Sequence, residues 1–189
     1  KNREYIYLSI ILLLAFILRL YKIDSPLADW HSWRQADTAS VTKTFVEHGI
    51  NLLYPRYHDI SSIQTGLMNP NGYRFVEFPI YNAIHAALAE SLDIFSLEIW
   101  GRLTSILAAL VSTFFIYLIA KRFLGIFGGL LASFFYATIP FNIYFTRVIL
   151  PEPLAVTFGV IALWAFIKFL DNENFKLLYV SGIFLSLGI

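Results

Sequence analysis

Between Leu103 and Ile167 the chain carries only four charged residues, Lys121, Arg122, Arg147 and Glu152, and they stand at the edges of otherwise apolar runs. A helix needs about 20 mainly apolar residues to cross hydrocarbon, and these runs supply them. The composition agrees, with 58% hydrophobic and only 14% charged residues, against about 25% charged in average soluble domains. An ordinary soluble enzyme is therefore excluded, and lipid is the chain's main solvent. The formal net charge of +1 gives no reason to expect nucleic acid. The absence of cysteine removes disulfides, thiolate nucleophiles and Cys-based zinc sites together.

The apolar runs are Tyr5 to Leu18, Leu103 to Ala120, Phe123 to Thr146 and Leu154 to Ile167. With their flanks they predict spans at about 5–21, 101–120, 124–146 and 154–170. Arg19 and Lys22 are expected to snorkel, extending the first span to Tyr21. No small-residue cleavage site follows Arg19, which argues against a signal peptide. A fifth run, 177–189, reaches the end of the sequence after 13 residues, so residues 1–189 are expected to be the N-terminal part of a longer transmembrane domain. Gly128-Gly129 lies inside an apolar run and suits close helix packing.

Residues 22–98 differ in kind. This 77-residue loop holds all four His and most of the acids, with Trp30, Trp33 and, just beyond it, Trp100 as interfacial anchors. Within it, Phe78 to Phe95 repeats apolar residues at Ile80, Ile84, Leu88, Leu92 and Phe95. That pattern predicts a helix lying in the interface or packed on other spans. If this helix does not cross, Lys1, Arg3, Lys121, Arg122, Lys168 and Lys176 lie inside, against Arg19, Lys22, Arg102 and Arg147 outside, as the positive-inside rule favours. The loop around Glu152 then opens on the same outer side as loop 22–98.

The spacing predicts a helix from about Ser32 to His48, ended by Gly49 as a left-handed cap. Trp33, Asp37, Val41 and Phe45 recur every four residues, which puts Asp37 on the apolar face. A carboxylate there is costly unless something uses it. Its simpler role is an i,i+3 pair with Arg34, contributing about 0.3 kcal/mol. His31 alone suits a hydrogen-bonded interfacial histidine. The density of His31, Trp33, Arg34, Gln35 and Asp37 directly after a span suggests a site.

Arg147 and Glu152 bracket a second loop. Pro151 and Pro153 flank the acid and force a turn at the membrane surface. The pair either marks two span ends, or Arg147 holds a phosphate while Glu152 binds a metal or orients a hydroxyl. Glu77 opens the interfacial helix, as favourable N-terminal charge or as a third acid. Residues 51–71 read as turns and loop, with aromatics able to stack on sugar.

His31-Ser32-Trp33-Arg34-Gln35-Ala36-Asp37-Thr38, His48-Gly49-Ile50-Asn51-Leu52-Leu53-Tyr54-Pro55, Glu77-Phe78-Pro79, Gly101-Arg102-Leu103, and Arg147 with Pro151-Glu152 run in order through the chain. In these motifs the sequence resembles the GT-C type membrane glycosyltransferases of the family 39-like group, which includes protein mannosyltransferases, aminoarabinose transferases and Rgt-type lipopolysaccharide glycosyltransferases. The resemblance implies an all-α, polytopic transmembrane fold with interfacial helices in the first outer loop. It also implies Asp37 as catalytic base. Arg34, Arg102, Arg147, Glu77 and His31 are candidates for donor-phosphate or acceptor binding, and Glu152 for a divalent metal ion. Several relatives have Lys-Pro-Pro where this chain has Glu77-Phe78-Pro79, so no phosphate-binding Lys is carried over.

The activity so implied moves a sugar, hexose or pentose, from a polyprenyl-phosphate donor to a hydroxyl on a lipid, glycan or protein acceptor, with inversion. It would occur on the periplasmic or extracellular face of the plasma or inner membrane. The rival is a transporter or flippase for a lipid-linked substrate, which predicts charged or broken positions near span centres. Here the charges sit at span ends and in loops. A non-catalytic scaffold is a third reading, and it predicts that Asp37, Glu77 and Glu152 tolerate substitution.

Overall fold

The computed structural model describes residues 3–27, 31–61 and 66–188. Lys1 of the charge comparison and the expected anchor Trp30 lie outside the described residues, as does Ile189. Among those described, seven α-helices and no strand are found: α1 (Arg3–Arg19), α2 (Ser32–His48), α3 (Ile80–Ser91), α4 (Leu97–Thr138), α5 (Pro140–Phe145), α6 (Glu152–Asn172) and α7 (Phe175–Leu187). They form two compact units. One comprises 3–23, 105–147 and 152–188, and the other 24–104 with 148–151.

Two helices, α4, which belongs to the first unit from Ser105 on, and α6, are long and apolar enough to cross a membrane by length and composition. The 21 residues of α6 span about 31 Å at 1.5 Å per residue, close to the hydrocarbon thickness. The 42 residues of α4 exceed it, and the helix is interrupted at Gly125, whose φ of 71° leaves the helical region. Beyond the break, Gly129 packs so closely that a Cβ would stand 2.9 Å from the Tyr117 carbonyl oxygen. Helix α7 lies on α6, with Ser181 Oγ donating to the Ala162 carbonyl at 2.9 Å and Phe184 against Phe158. Along α1, Tyr5, Ile6, Tyr7, Ile10, Leu13 and Ile17 are each more than half exposed. Such a surface suits lipid, which is as apolar as the side chains themselves.

Arg19 does not snorkel, contrary to the expectation from its place at the span end. It is 1% exposed, and its guanidinium donates to Thr146 Oγ1 at 2.7 Å and to the Ala15 and Ala137 carbonyls at 3.0 Å. The cause is Pro140. Lacking an N–H, it leaves the Tyr136 carbonyl without its helical donor, and Asn142 Nδ2 and Arg19 Nη2 both turn to that oxygen. Carbonyls freed at a helix end thus hold an arginine inside the unit.

The second unit is built on α2 and α3. Asn82 Nδ2 donates to the Thr38 carbonyl at 2.7 Å and to Thr42 Oγ1 at 3.1 Å, both in α2, and is 2% exposed. Val41, Phe45, Tyr57 and Ala86 form the apolar core beneath. The buried face of α3 is Tyr81, Asn82, His85 and Ala86, whereas Ile84, Leu92 and Phe95 of the expected apolar stripe are exposed. Ile80 and Leu88 are half-buried, so the stripe runs along the edge of the packed face instead of forming it. Near lipid an apolar face loses nothing by facing out, and the polar residues need the protein partners that only packing supplies.

Candidate functional site

Helix α2 covers Ser32–His48 and stops at Gly49, whose N–H still donates to the Phe45 carbonyl. The expected left-handed cap is not formed: φ is 88° but ψ is 154°, an extended exit with positive φ. Nor does the buried face follow the four-residue spacing. It consists of Gln35, Thr38, Ala39, Val41, Thr42 and Phe45, while Trp33 is 65% exposed. Asp37 stands at the border of this face.

The segment after the loop brings a partner to it. Tyr57 N–H donates to the Gly72 carbonyl at 2.8 Å and Arg74 N–H to the Pro55 carbonyl at 3.0 Å, around an antiparallel bridge of Arg56 with Tyr73. Gly72 makes the pairing possible. Its φ is +61°, and a Cβ there would collide with the Tyr57 carbonyl oxygen. Asn69 braces the same turn, accepting from the Tyr73 N–H and donating to its carbonyl.

Two ion pairs then join α2 to residues 74–77. Arg34 Nη2 donates to Glu77 Oε2 at 2.9 Å. Arg74 Nη1 stands 2.9 Å from Asp37 Oδ2, with side chains 3% and 25% exposed respectively. The local Arg34 to Asp37 pair allowed by the spacing is thus replaced by an exchange: each residue of one i,i+3 pair takes the oppositely charged member of the other. Arg74 Cζ also lies 5.3 Å from the centre of the Tyr57 ring. The Arg74 to Asp37 contact has ion-pair distance without hydrogen-bond alignment, and Arg74 Nε is buried without a hydrogen-bond partner among the described residues. Asp37 Oδ1 likewise has no hydrogen-bond partner among them.

Arg74 was not singled out in the sequence. Its signal is the Arg-x-x-Glu spacing of Arg74 and Glu77, which mirrors Arg34 and Asp37 but reads as a local pair until the fold joins the two.

The remaining candidates of this unit serve positions around the exchange. Gln35 is fully buried, its Oε1 3.4 Å from the Ile149 N–H in the turn 148–151. Arg102 is 3% exposed, and Nη2 donates to the Pro26 carbonyl at 3.4 Å. His31 is exposed and precedes α2 in a left-handed conformation, φ 56° and ψ 33°, with no side-chain cap bond. A non-glycine residue held there stores strain, as residues of binding sites often do.

His85, unremarked by motif, is fully buried; Nε2 is 2.6 Å from the Leu97 carbonyl, while Nδ1 has no partner among the described residues. Burial pushes its pKa down to about 4, against the opposing Leu97 carbonyl and Glu98 charge. The imidazole is therefore neutral, donating from Nε2. Tyr81 Oη donates to the Gly101 carbonyl at 2.7 Å, so the Gly101-Arg102 motif anchors the first turns of α4 to α3.

The two other candidates belong to the first unit. Arg147 Nη1 donates to the Tyr21 carbonyl at 2.7 Å, and its guanidinium lies over the Tyr21 and Tyr144 rings at 5.3 and 5.2 Å. Glu152 is the exposed first residue of α6, where its charge complements the helix N-terminus. Among the described residues no three His, Asp or Glu side chains converge as metal ligands.

The family model described as dolichyl-phosphate-mannose-protein mannosyltransferase matches residues 83–189. No curated protein and no solved structure matches the chain.

Proposed function

Because the chain belongs to the dolichyl-phosphate-mannose-protein mannosyltransferase family, and is thus a membrane glycosyltransferase of the GT-C type, we propose that Asp37 is the general base of an inverting sugar transfer. The donor is a polyprenyl-phosphate-linked hexose or pentose, and the acceptor a hydroxyl on a lipid, glycan or protein. The reaction takes place on the outer face of the plasma or inner membrane, where a lipid-linked donor and a water-borne acceptor meet.

The chemistry is balanced by three groups. The acceptor hydroxyl gives its proton to Asp37 as its oxygen attacks the anomeric carbon. The bond from that carbon to the phosphate oxygen breaks on the opposite face, and the lipid phosphate leaves as an anion. Arg34, one helical turn before Asp37, supplies positive charge for that anion in place of Glu77. Electrostatic stabilisation of a leaving group works best when the cation is already held in position.

One observation carries this reading. Asp37 stands 2.9 Å through Oδ2 from the buried Arg74, and its Oδ1, at a partly exposed edge, has no hydrogen-bond partner among the described residues. A general base needs a fixed position, access and a lone pair, and this carboxylate has all three. The test is Asp37→Asn in the full-length protein with a lipid-phosphate sugar donor. Transfer should fall by about 10²- to 10⁴-fold with membrane insertion intact. Near-normal transfer removes Asp37 from the mechanism.

A further inference from the structure

Lys121, Arg122 and Lys168 stand around one cavity of the first unit, about 390 Å³ in volume, between α4 and α6. Lys168 lies about 24 Å along α6 from Glu152 at 1.5 Å per residue, near the other end of that span. The change from apolar to basic comes at one level in both helices. In α4, Leu118 and Ile119 give way within a turn to Lys121 and Arg122, and in α6, Trp164 and Ile167 give way to Lys168; all seven line the cavity. A level where apolar side chains and an indole meet cations is where the headgroups of a bilayer begin.

Two of the three cations have counter-ions. Lys121 Nζ donates to Glu4 Oε2 at 2.6 Å, and the same oxygen accepts from Tyr117 Oη at 2.7 Å. Arg122 grips Asp171 at two points, Nε to Oδ2 at 2.9 Å and Nη2 to Oδ1 at 2.6 Å. These pairs tie α1 to α4 and α4 to α6. Lys168, half-buried, makes neither a hydrogen bond nor an ion pair among the described residues, and the Trp164 Nε1–H has no acceptor among them. Neither Glu4 nor Asp171 lines the cavity. Three cations against two carboxylates leave one positive charge uncompensated, at a cavity without an acid in its wall.

Such a cavity suits an amphiphile with a single negative charge at its head. A phosphodiester supplies that charge, and its oxygens can accept from Lys168, from the Trp164 Nε1–H and from the Arg122 N–H groups that Asp171 leaves open. Acyl methylenes then pack on Leu118, Ile119 and Ile167. A choline headgroup would set its quaternary ammonium among cations with no carboxylate to receive it. A polyprenyl monophosphate would bring about 1.5 to 2 negative charges to a place that compensates one. We propose that this cavity binds one acidic glycerophospholipid of the surrounding bilayer, as basic pockets between spans do. The assignment is independent of the transferase reading and needs only that α4 and α6 stand in a bilayer.

Trp164 reports on this place directly. Full-length protein is reconstituted in phosphatidylcholine vesicles holding a minority of phosphatidylglycerol, with one lipid or the other carrying brominated chains that quench indole fluorescence. The signal of Trp164 is the difference between the unaltered protein and Trp164→Phe. Phosphatidylglycerol should quench it as though enriched about fivefold over its share, the effect of one cation near a membrane surface. Lys168→Gln should bring that enrichment close to parity while both ion pairs stay in place. Lys176→Gln removes a charge from the first turn of α7, outside the cavity, and should leave the enrichment unchanged. Absence of enrichment in the unaltered protein overturns the proposal, as does enrichment that survives Lys168→Gln. So does an equal loss in the two lysine variants, which would make the preference a general effect of surface charge. Displacement of phosphatidylglycerol by an equimolar amount of polyprenyl phosphate also overturns it, because the cavity would then hold the donor lipid.

Discussion

Asp37 and Arg74 meet at 2.9 Å across two elements, with the cation 3% exposed and the anion 25% exposed. The asymmetry shows which residue serves which. Arg74 is committed to the protein, with Tyr57 beneath it, while Asp37 keeps an edge toward the outside. Arg74→Met should therefore lower both transfer and stability, the latter by about 1–3 kcal/mol, less than for a fully buried pair because Asp37 can recover some hydration. Arg74→Lys keeps the charge but loses the planar group over Tyr57, and should recover most of the stability and little of the transfer. Thermal melts and initial rates on the two variants check this; equal rates for both would show that position 74 supplies charge alone.

His85 makes the second unit acid-sensitive. Its folded pKa of about 4 lies below the usual 6.5 because burial disfavours the imidazolium. Between these values the unfolded chain binds a proton that the folded one does not, so stability rises with pH across the window and is lost as pH falls from 6.5 to about 4. The loss approaches about 3 kcal/mol at the acid end. His85→Gln keeps a donor for the Leu97 carbonyl and does not titrate. Its melting temperature should change less between pH 7 and pH 5 than that of the unaltered protein; parallel curves would exclude His85 as the source.

Gly101 shows how tightly α4 is held against α3. A Cβ there would stand 2.6 Å from His85 Cε1 and 3.0 Å from Ile149 Cγ1, with neither able to retreat from a closed interior. Gly101→Ala should cost about 1–3 kcal/mol. Gly159→Ala, in α6 with nothing within 4 Å of the added carbon, should be neutral or stabilise by up to about 1 kcal/mol. Denaturation of the two variants in parallel separates crowding from helix propensity.

The residues legible in advance were those whose neighbours lie close in sequence. The end of helix α2 could be placed because Gly49 closes it, and Asp37 stood out as an acid beside Val41 and Phe45. What the sequence hid was long-range or depended on the solvent. The partner of Asp37 lies in another element, and nothing local distinguishes an Arg34 that bonds Asp37 from one that bonds Glu77. The apolar stripe of α3 left open whether the helix lies in the interface or packs on other spans, and did not show that the opposite face, with Asn82 and His85, is the one that finds protein partners. Arg19 turned inward because of a proline more than a hundred residues away, through the carbonyls that Pro140 leaves open.

The exchange of partners also gives Arg34 and Glu77 opposite effects on the donor. They are joined at 2.9 Å, with side chains 17% and 24% exposed, so an incoming phosphate can reach the pair and compete with Glu77 for the guanidinium. Phosphate binds such a fork at two points, as a carboxylate does. Arg34→Gln should then raise the donor KM about tenfold, a loss near 1.4 kcal/mol, whereas Glu77→Gln, which removes the competitor, should lower it a few-fold. A merely structural pair predicts something else: either change would leave the other partner half-buried and unpaired, and both would reduce stability and activity together. Donor titrations on the two single variants and the double variant decide it, since opposite signs in KM cannot arise from a shared loss of folding.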